Sequence, residues 1–285
     1  MKSLKSVDLS LRAKQSNLQS GSQAISRHFL LFVVLTAIQG CALFYKLPPQ
    51  PPLSPEDVTR ALSQIREQDD KVRSFFTSGR LKVREGVWEQ EALSLVAATR
   101  DPERIKIEIT HPWGQPVVHL LVEGRALSVL SFAKRKIYVG EAKPESLAKI
   151  FPGLFDHEVI WSVLRGYPTL KPFHHAASQE GNQISLFLQN SHEIERVDID
   201  PEQFQPVAVL YPDIGMKLEF EGFQENQGII YARQIRVLHP KGHLTLTNEK
   251  AVFNSPIPDP IFVLERPPGF VTEDLEALKE EKTLF

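Results

Sequence analysis

The chemically versatile side chains of this chain are few and scattered. Nine His and one Cys stand among 285 residues, so their spacing decides whether any chemistry starts from them. His174-His175 and His239-Pro240-Lys241-Gly242-His243 are the close His groupings. A structural metal site needs four converging ligands and a catalytic one three, and Pro-Lys-Gly between the second pair is turn chemistry that leaves two solvated rings. A single Cys excludes an intrachain disulfide and any Cys-rich zinc or iron–sulfur site. Gly-x-Ser-x-Gly, phosphate-loop and dinucleotide glycine motifs are absent, so the chain is expected to be no enzyme and to use no metal or cofactor. With 33 Lys and Arg against 35 Asp and Glu, it also lacks the basic excess of a nucleic-acid binder. Two kinds of chemistry remain: modification of the one thiol, and physical binding by apolar side chains.

The thiol stands at a telling place. Lys2, Lys5, Arg12, Lys14 and Arg27 face the single acid Asp8 in the first 28 residues, and the apolar run Phe29 to Ile38 then leads to Gln39-Gly40-Cys41. At about 1.5 Å per residue the run covers roughly half of a bilayer core, which suits a signal-peptide hydrophobic region better than a membrane span. Ile38-Gln39-Gly40-Cys41 resembles the lipobox of bacterial lipoproteins, with an aliphatic residue at minus three and a small one at minus one; Gln39 departs from the usual Ala, Ser or Thr. The resemblance implies that 1–40 is a lipoprotein signal peptide and that Cys41 carries a diacylglyceryl thioether and an N-acyl chain, since several chains hold firmly where one does not. Ala42, where Asp would direct retention at the inner membrane, implies an outer-membrane anchor with the protein facing the periplasm. The Pro-rich stretch Lys46 to Leu53 completes a lipidated Cys and extended tether over 41–53.

The elements beyond the tether read from periodicity. Ser54 suits an N-cap and Pro55 the first helical position. Val58, Ala61, Leu62 and Ile65 form one stripe of a helix to about Gln68. From Phe75 the period falls to two: 81–84, 104–110, 216–221 and 244–247 alternate apolar and polar residues, as half-buried strands do. Further strands are expected at 91–99, 117–123, 126–132, 136–140, 183–189, 194–199, 206–211 and 230–239, between Gly, Pro, Asn and Asp punctuation. Short helices interrupt them at 144–150 and at 156–166, the second with Asp156 as N-cap and Gly166 as stop. The expected fold is mainly β, an antiparallel sheet curled into a half-barrel over 54–270 with a few helices covering its concave face. Such helices either enclose a cavity or cap a filled core. Pro-rich 256–268 is expected to end the sheet, and 271–285 to be a charged tail, helical from Thr272 to Lys282 or frayed.

The order of three segments carries a family resemblance. Ser78-Gly79-Arg80-Leu81-Lys82-Val83, then Ile105 to Thr110 with His111-Pro112-Trp113-Gly114-Gln115, then Trp161 to Pro168, resemble the LolB family of outer-membrane lipoproteins over about 75–170. Phe204-Gln205-Pro206 and Asn254 to Asp259 resemble the broader LolA/LolB superfamily. The resemblance implies a half-barrel that accepts acyl chains of lipoproteins or lipids, a LolA-type periplasmic carrier as partner, and membrane attachment through the lipid anchor. The family's Pro-Leu-Gly turn, whose exposed Leu helps insert cargo into the membrane, matches Pro112, Trp113 and Gly114. Trp replaces the Leu and is chemically compatible with a membrane interface. Inward-facing candidates for an acyl-chain cavity are Ile105, Ile107, Ile109, Ile160, Leu164, Leu218 and Phe220, which could equally be plain core. Two functions follow: an acyl-chain-binding lipoprotein that receives or inserts other lipoproteins, or a structural outer-membrane lipoprotein on the same scaffold that assists envelope assembly without a lipid ligand.

Overall fold

The computed structural model describes residues 51–86, 88–150 and 156–278. Cys41, the leader and most of the tether lie outside the described residues. Helix α1 spans Pro55–Asp70 and begins as its residues dictate: the Ser54 hydroxyl accepts the Asp57 N–H at 3.1 Å, Pro55 occupies the first turn, and Glu56 and Asp57 sit at the positive end of the helix dipole. Its buried stripe is Val58, Ala61, Leu62 and Ile65.

Strands β1 (Ser74–Glu85), β2 (Trp88–Arg100), β3 (Glu103–Thr110), β4 (Pro116–Glu123), β5 (Ala126–Ser131) and β6 (Lys136–Glu141) form one meander. Helices α2 (Pro144–Ala148) and α3 (His157–Arg165) intervene. Strands β7 (His175–Ala177), β8 (Gln183–Phe187), β9 (Glu193–Ile199), β10 (Pro206–Tyr211), β11 (Met216–Asn226), β12 (Ile229–His239) and β13 (Gly242–Phe253) form a second meander. The two halves join where β1 pairs with β13, and a last strand, β14 (Val271–Asp274), lies beside β6, so the sheet runs β14-β6-β5-β4-β3-β2-β1-β13-β12-β11-β10-β9-β8-β7 and stays open at both ends. The molecule is thus mainly β, an open half-barrel with few helices. At the join the chains approach so closely that a Cβ on Gly79 would lie 2.1 Å from the Thr247 carbonyl oxygen, and the ladder bulges between Ser78 and Gly79. Only Gly fits there.

Period two sorts the side chains. Ile105, Ile107 and Ile109 of β3 oppose Val122, Leu120 and Val118 of β4, and all six are buried. They share one core with α1 and α3. Asp156 caps α3, its carboxylate accepting the Val159 N–H at 2.7 Å, and Gly166 ends it at φ 78°. Every residue from Val159 to Arg165 is buried, so α3 is a core helix seated in the concavity against β1 and β12.

Two segments depart from the expectation. The stretch 256–270 does not simply end the sheet: it crosses the convex face as a strap, its Phe262 packed with Ala97 and Leu121 and flanked by Phe76, Ile257, Ile261 and Leu264. Arg104 clamps it, pairing with Asp259 at 2.9 Å and lying over the Phe262 ring at 4.2 Å. The expected charged tail at 271–285 is corrected over 271–278, the rest lying outside the described residues. Val271–Asp274 is strand β14, parallel to β6, and Leu275 and Leu278 beyond it are buried. The charges there read as a solvated helix, but the open edge of β6 supplies backbone partners and a pocket for Leu275 beside Gly140, where a Cβ would be 2.7 Å from the Leu275 Cβ.

Candidate functional site

The turn His111 to Gln115 joins β3 to β4. The Gly114 N–H donates to the His111 carbonyl and the His111 N–H to the Gln115 carbonyl, both at 2.8 Å. Gly114 takes φ 90°, while Pro112 and Trp113 keep negative φ, which is a type I turn followed by a left-handed glycine. That geometry sends residue 113 outward. Trp113 is 70% exposed, more than any other large apolar side chain among the described residues. Its indole stacks on the His111 ring at 4.5 Å and an interplanar angle of 7°, so the tip is held in a defined posture.

Beneath the tip lies an open pocket of about 240 Å³, lined mainly by Leu81, Val83, Ala92, Val117, His111 and Trp113. It falls just below the roughly 300–1,000 Å³ of ordinary ligand sites. Sequence reasoning did not single out Leu81, Val83, Ala92 and Val117. Their inner-face parity was readable, but only the register of β1, β2 and β4 places them under Trp113.

The seven residues expected to line an acyl-chain cavity are all buried: Ile105, Ile107, Ile109, Ile160, Leu164, Leu218 and Phe220. The structure brings Ile107, Ile109 and Leu164 together around a space of about 20 Å³, with Leu81, Val96 and Val163. That volume holds about one water. Ile105, Ile160, Leu218 and Phe220 do not border it. Helix α3 is seated against β1 and β12, and the larger of the two apolar spaces, about 240 Å³, lies beneath Trp113.

Several polar groups are buried under the helices. Arg165 is fully buried; its Nη2 donates to the Gln68 carbonyl at 2.5 Å, its guanidinium lies 4.7 Å over the Tyr167 ring, and Nε and Nη1 have no protein partner. Burial pulls its pKa down to about 10 against the opposing charge of Asp69. Asp69 itself accepts from Arg100 at 2.6 Å and from the Thr169 hydroxyl at 3.1 Å. In the other half, Glu195 occupies an inner position of β9. One carboxyl oxygen accepts the Lys171 N–H at 2.9 Å and the other has no protein partner. Burial raises its pKa to about 7, partly opposed by Lys171. The Tyr211 hydroxyl is also unpartnered, with burial and the neighbouring Glu195 raising its pKa. These groups tie the loop after α3 to the sheet.

The His groupings do not converge. His175 stacks on Phe187 at 4.7 Å, and His239 and Gly242 close a hairpin. Among the described residues no three of His, Cys, Asp and Glu gather as metal ligands, and no helix is long and apolar enough to cross a membrane.

No family model and no curated protein matches the chain. Solved structures do. A DUF1329 family protein from Desulfovibrio piger aligns at 13% identity over 73% of this chain and 97% of its own, with a TM-score of 0.49. A domain assigned to outer-membrane lipoprotein sorting, from Vibrio parahaemolyticus, aligns at 10% identity over 72% and 97%, also at 0.49. A LolA superfamily protein from Nitrosomonas europaea aligns at 16% identity over 71% and 97%, at 0.45.

Proposed function

We propose that this chain is an outer-membrane lipoprotein, anchored through Cys41 and facing the periplasm, that binds acyl chains of lipoproteins or lipids and receives or inserts lipoproteins in the manner of the LolB family. One observation carries the reading: an indole 70% exposed on a turn that projects it, directly over an apolar pocket of about 240 Å³. An exposed Trp prefers the bilayer interface, where its ring is among acyl chains and its N–H stays wet. The pocket beneath could then take the end of a chain passed along the tip. Pro112 and Gly114 hold the turn, Trp113 enters the interface, and transfer needs no covalent step or nucleotide. Displacement of α3 from the concave face would open the space around Ile107, Ile109 and Leu164 to longer chains.

The test is transfer. The protein produced without its leader is mixed with a lipoprotein-loaded LolA-type carrier, and extracted ligands are identified by mass spectrometry. Acyl chains bound at stoichiometry and cargo passed to vesicles support the reading; a protein that stays empty and accepts nothing sinks it. Trp113→Glu is expected to abolish insertion while changing stability by less than about 0.5 kcal/mol, because the side chain is exposed. An unchanged transfer rate removes the tip from the mechanism. The second reading, a structural lipoprotein without a ligand, draws on the small space beneath α3, about 20 Å³, and predicts the empty outcome.

A further inference from the structure

The turn bearing Trp113 has charged neighbours. In the first meander the turns after β1, β3 and β5 share one end of the sheet, because Glu85 pairs with Trp88, Leu93 with Thr110 and Val118 with Ser131. The turn after β5 abuts the Trp113 turn: the Phe132 N–H donates to the Val117 carbonyl at 3.1 Å. It carries Lys134-Arg135-Lys136 with no acid among them. The end of the strap arrives at the same place. The Phe270 ring lies 5.8 Å from Phe132, the Val271 N–H donates to the Arg135 carbonyl at 3.2 Å, and Arg266 reaches Thr272 at 3.4 Å. Arg84, Arg135 and Arg266 are exposed, and so are Pro112, Pro268 and Val271.

The acids at this end are largely engaged. Glu89, across the ladder from Arg84, pairs with Lys82 at 2.6 Å, Glu91 pairs with Arg80 at 3.5 Å and Glu273 with Lys136 at 2.7 Å, while Glu265 on the strap is exposed. At the opposite end of the same strands the hairpins mix signs, with Asp101, Glu103 and Glu123 beside Arg100 and Arg125. The meander is therefore polarised, cationic and apolar at the Trp113 end.

From this juxtaposition we infer that the Trp113 end docks on a bilayer rich in anionic phospholipid, with Trp113 and Val271 entering the interface and Arg135, Arg266 and Arg84 meeting headgroup phosphates. The inference rests on the reading of Trp113 as a membrane-facing tip and adds the headgroup class. Exposed cations and aromatics on one surface fit a bilayer interface, where each basic residue gains from the surface potential and each ring from the acyl boundary. Arginine also pairs phosphate through two N–H groups at once.

The experiment uses residues 50–285, which form one compact unit containing the whole described core, in sedimentation with vesicles of phosphatidylcholine alone or with 30% phosphatidylglycerol, at low and high salt. Tighter binding to the anionic vesicles, weakened by salt, is expected. Arg135→Gln with Arg266→Gln, which removes two charges, should lower that affinity by about 30-fold and leave binding to neutral vesicles unchanged; Arg135→Glu with Arg266→Glu, which reverses them, should lower it further. Equal affinity for both vesicles, or unchanged binding by both double variants, overturns the inference. Capture by soluble polyglutamate as tight as by anionic vesicles overturns it too, since the occupant would then be an acidic chain. If charge dependence persists while Trp113→Glu binds like the parent, the tip reading and the insertion of Trp113 fail, and only the contact of the arginines with headgroup phosphates stands.

Discussion

Glu195 is the residue whose environment most contradicts its type. Alternation along β9 assigns position 195 to the inner face with Val197 and Ile199, yet the residue there is a carboxylate, fully buried. Lys171 offers its N–H from the loop after α3 and holds its ammonium 4.9 Å over Tyr211 while pairing with Asp156 at 2.7 Å, so the charge of Glu195 is poorly compensated. A folded-state pKa of about 7 against 4.5 unfolded means that the native state binds the proton more tightly. Stability is then highest at low pH from this group, declines as pH rises from about 4.5 through about 7, and levels above. The loss is on the order of 3 kcal/mol. Glu195→Gln should flatten that slope and melt at a higher temperature than the parent at pH 8, as read by thermal denaturation across pH 4.5–8.5. A parent profile without this decline would show that Glu195 finds a charge partner in solution. At the same scale Arg165, at the end of α3, is fully buried against Tyr167 and Gln68.

Among the elements, the strap and α3 set what the sheet can do. Most strands and the helices at 55–70 and 157–165 were legible because each repeats its own period and carries its own punctuation; β7, three residues long, is too short to show one. The strap was not, since a Pro-rich segment with isolated Ile257, Ile261, Phe262 and Leu264 has no period, and its apolar residues make sense only against Ala97 and Leu121 on the opposite side of the sheet. Strand β14 was masked by its charges. Phe262→Ala should cost about 3–5 kcal/mol in chemical denaturation, because it removes a buried ring and the surface beneath Arg104 together. A loss below about 1 kcal/mol would mean that the strap lies loosely on the sheet. Helix α3 bears on access: Val163 and Leu164 border, with Ile107 and Ile109, a space of about 20 Å³, and under the proposed function a longer chain would need that helix to yield.

For the whole molecule, the proposed anchor and the body answer to different kinds of information. Cys41→Ala should leave a product that palmitate no longer labels and that washes from membranes; continued labelling would show that the modified residue is another. That prediction needs no fold, because a signal peptide and its modification site are read along an extended chain: charge, apolar run, small residue, Cys. The amphipathic stripe of α1, the period-two strands and the turn residues around Trp113 were likewise determined locally, since each depends on neighbours within a few positions. Tertiary structure alone decided three things. It seated α3 against the inner face, because whether inward Ile, Leu and Phe side chains enclose space or occupy it depends on how deeply that helix sits. It gathered Leu81, Val83, Ala92 and Val117 under Trp113, and the cations of two distant segments beside it, because strand register sums pairings that no single segment specifies. It also buried Glu195 and Arg165, because burial of a charge is set by what packs over it, and those covering residues come from elsewhere in the chain.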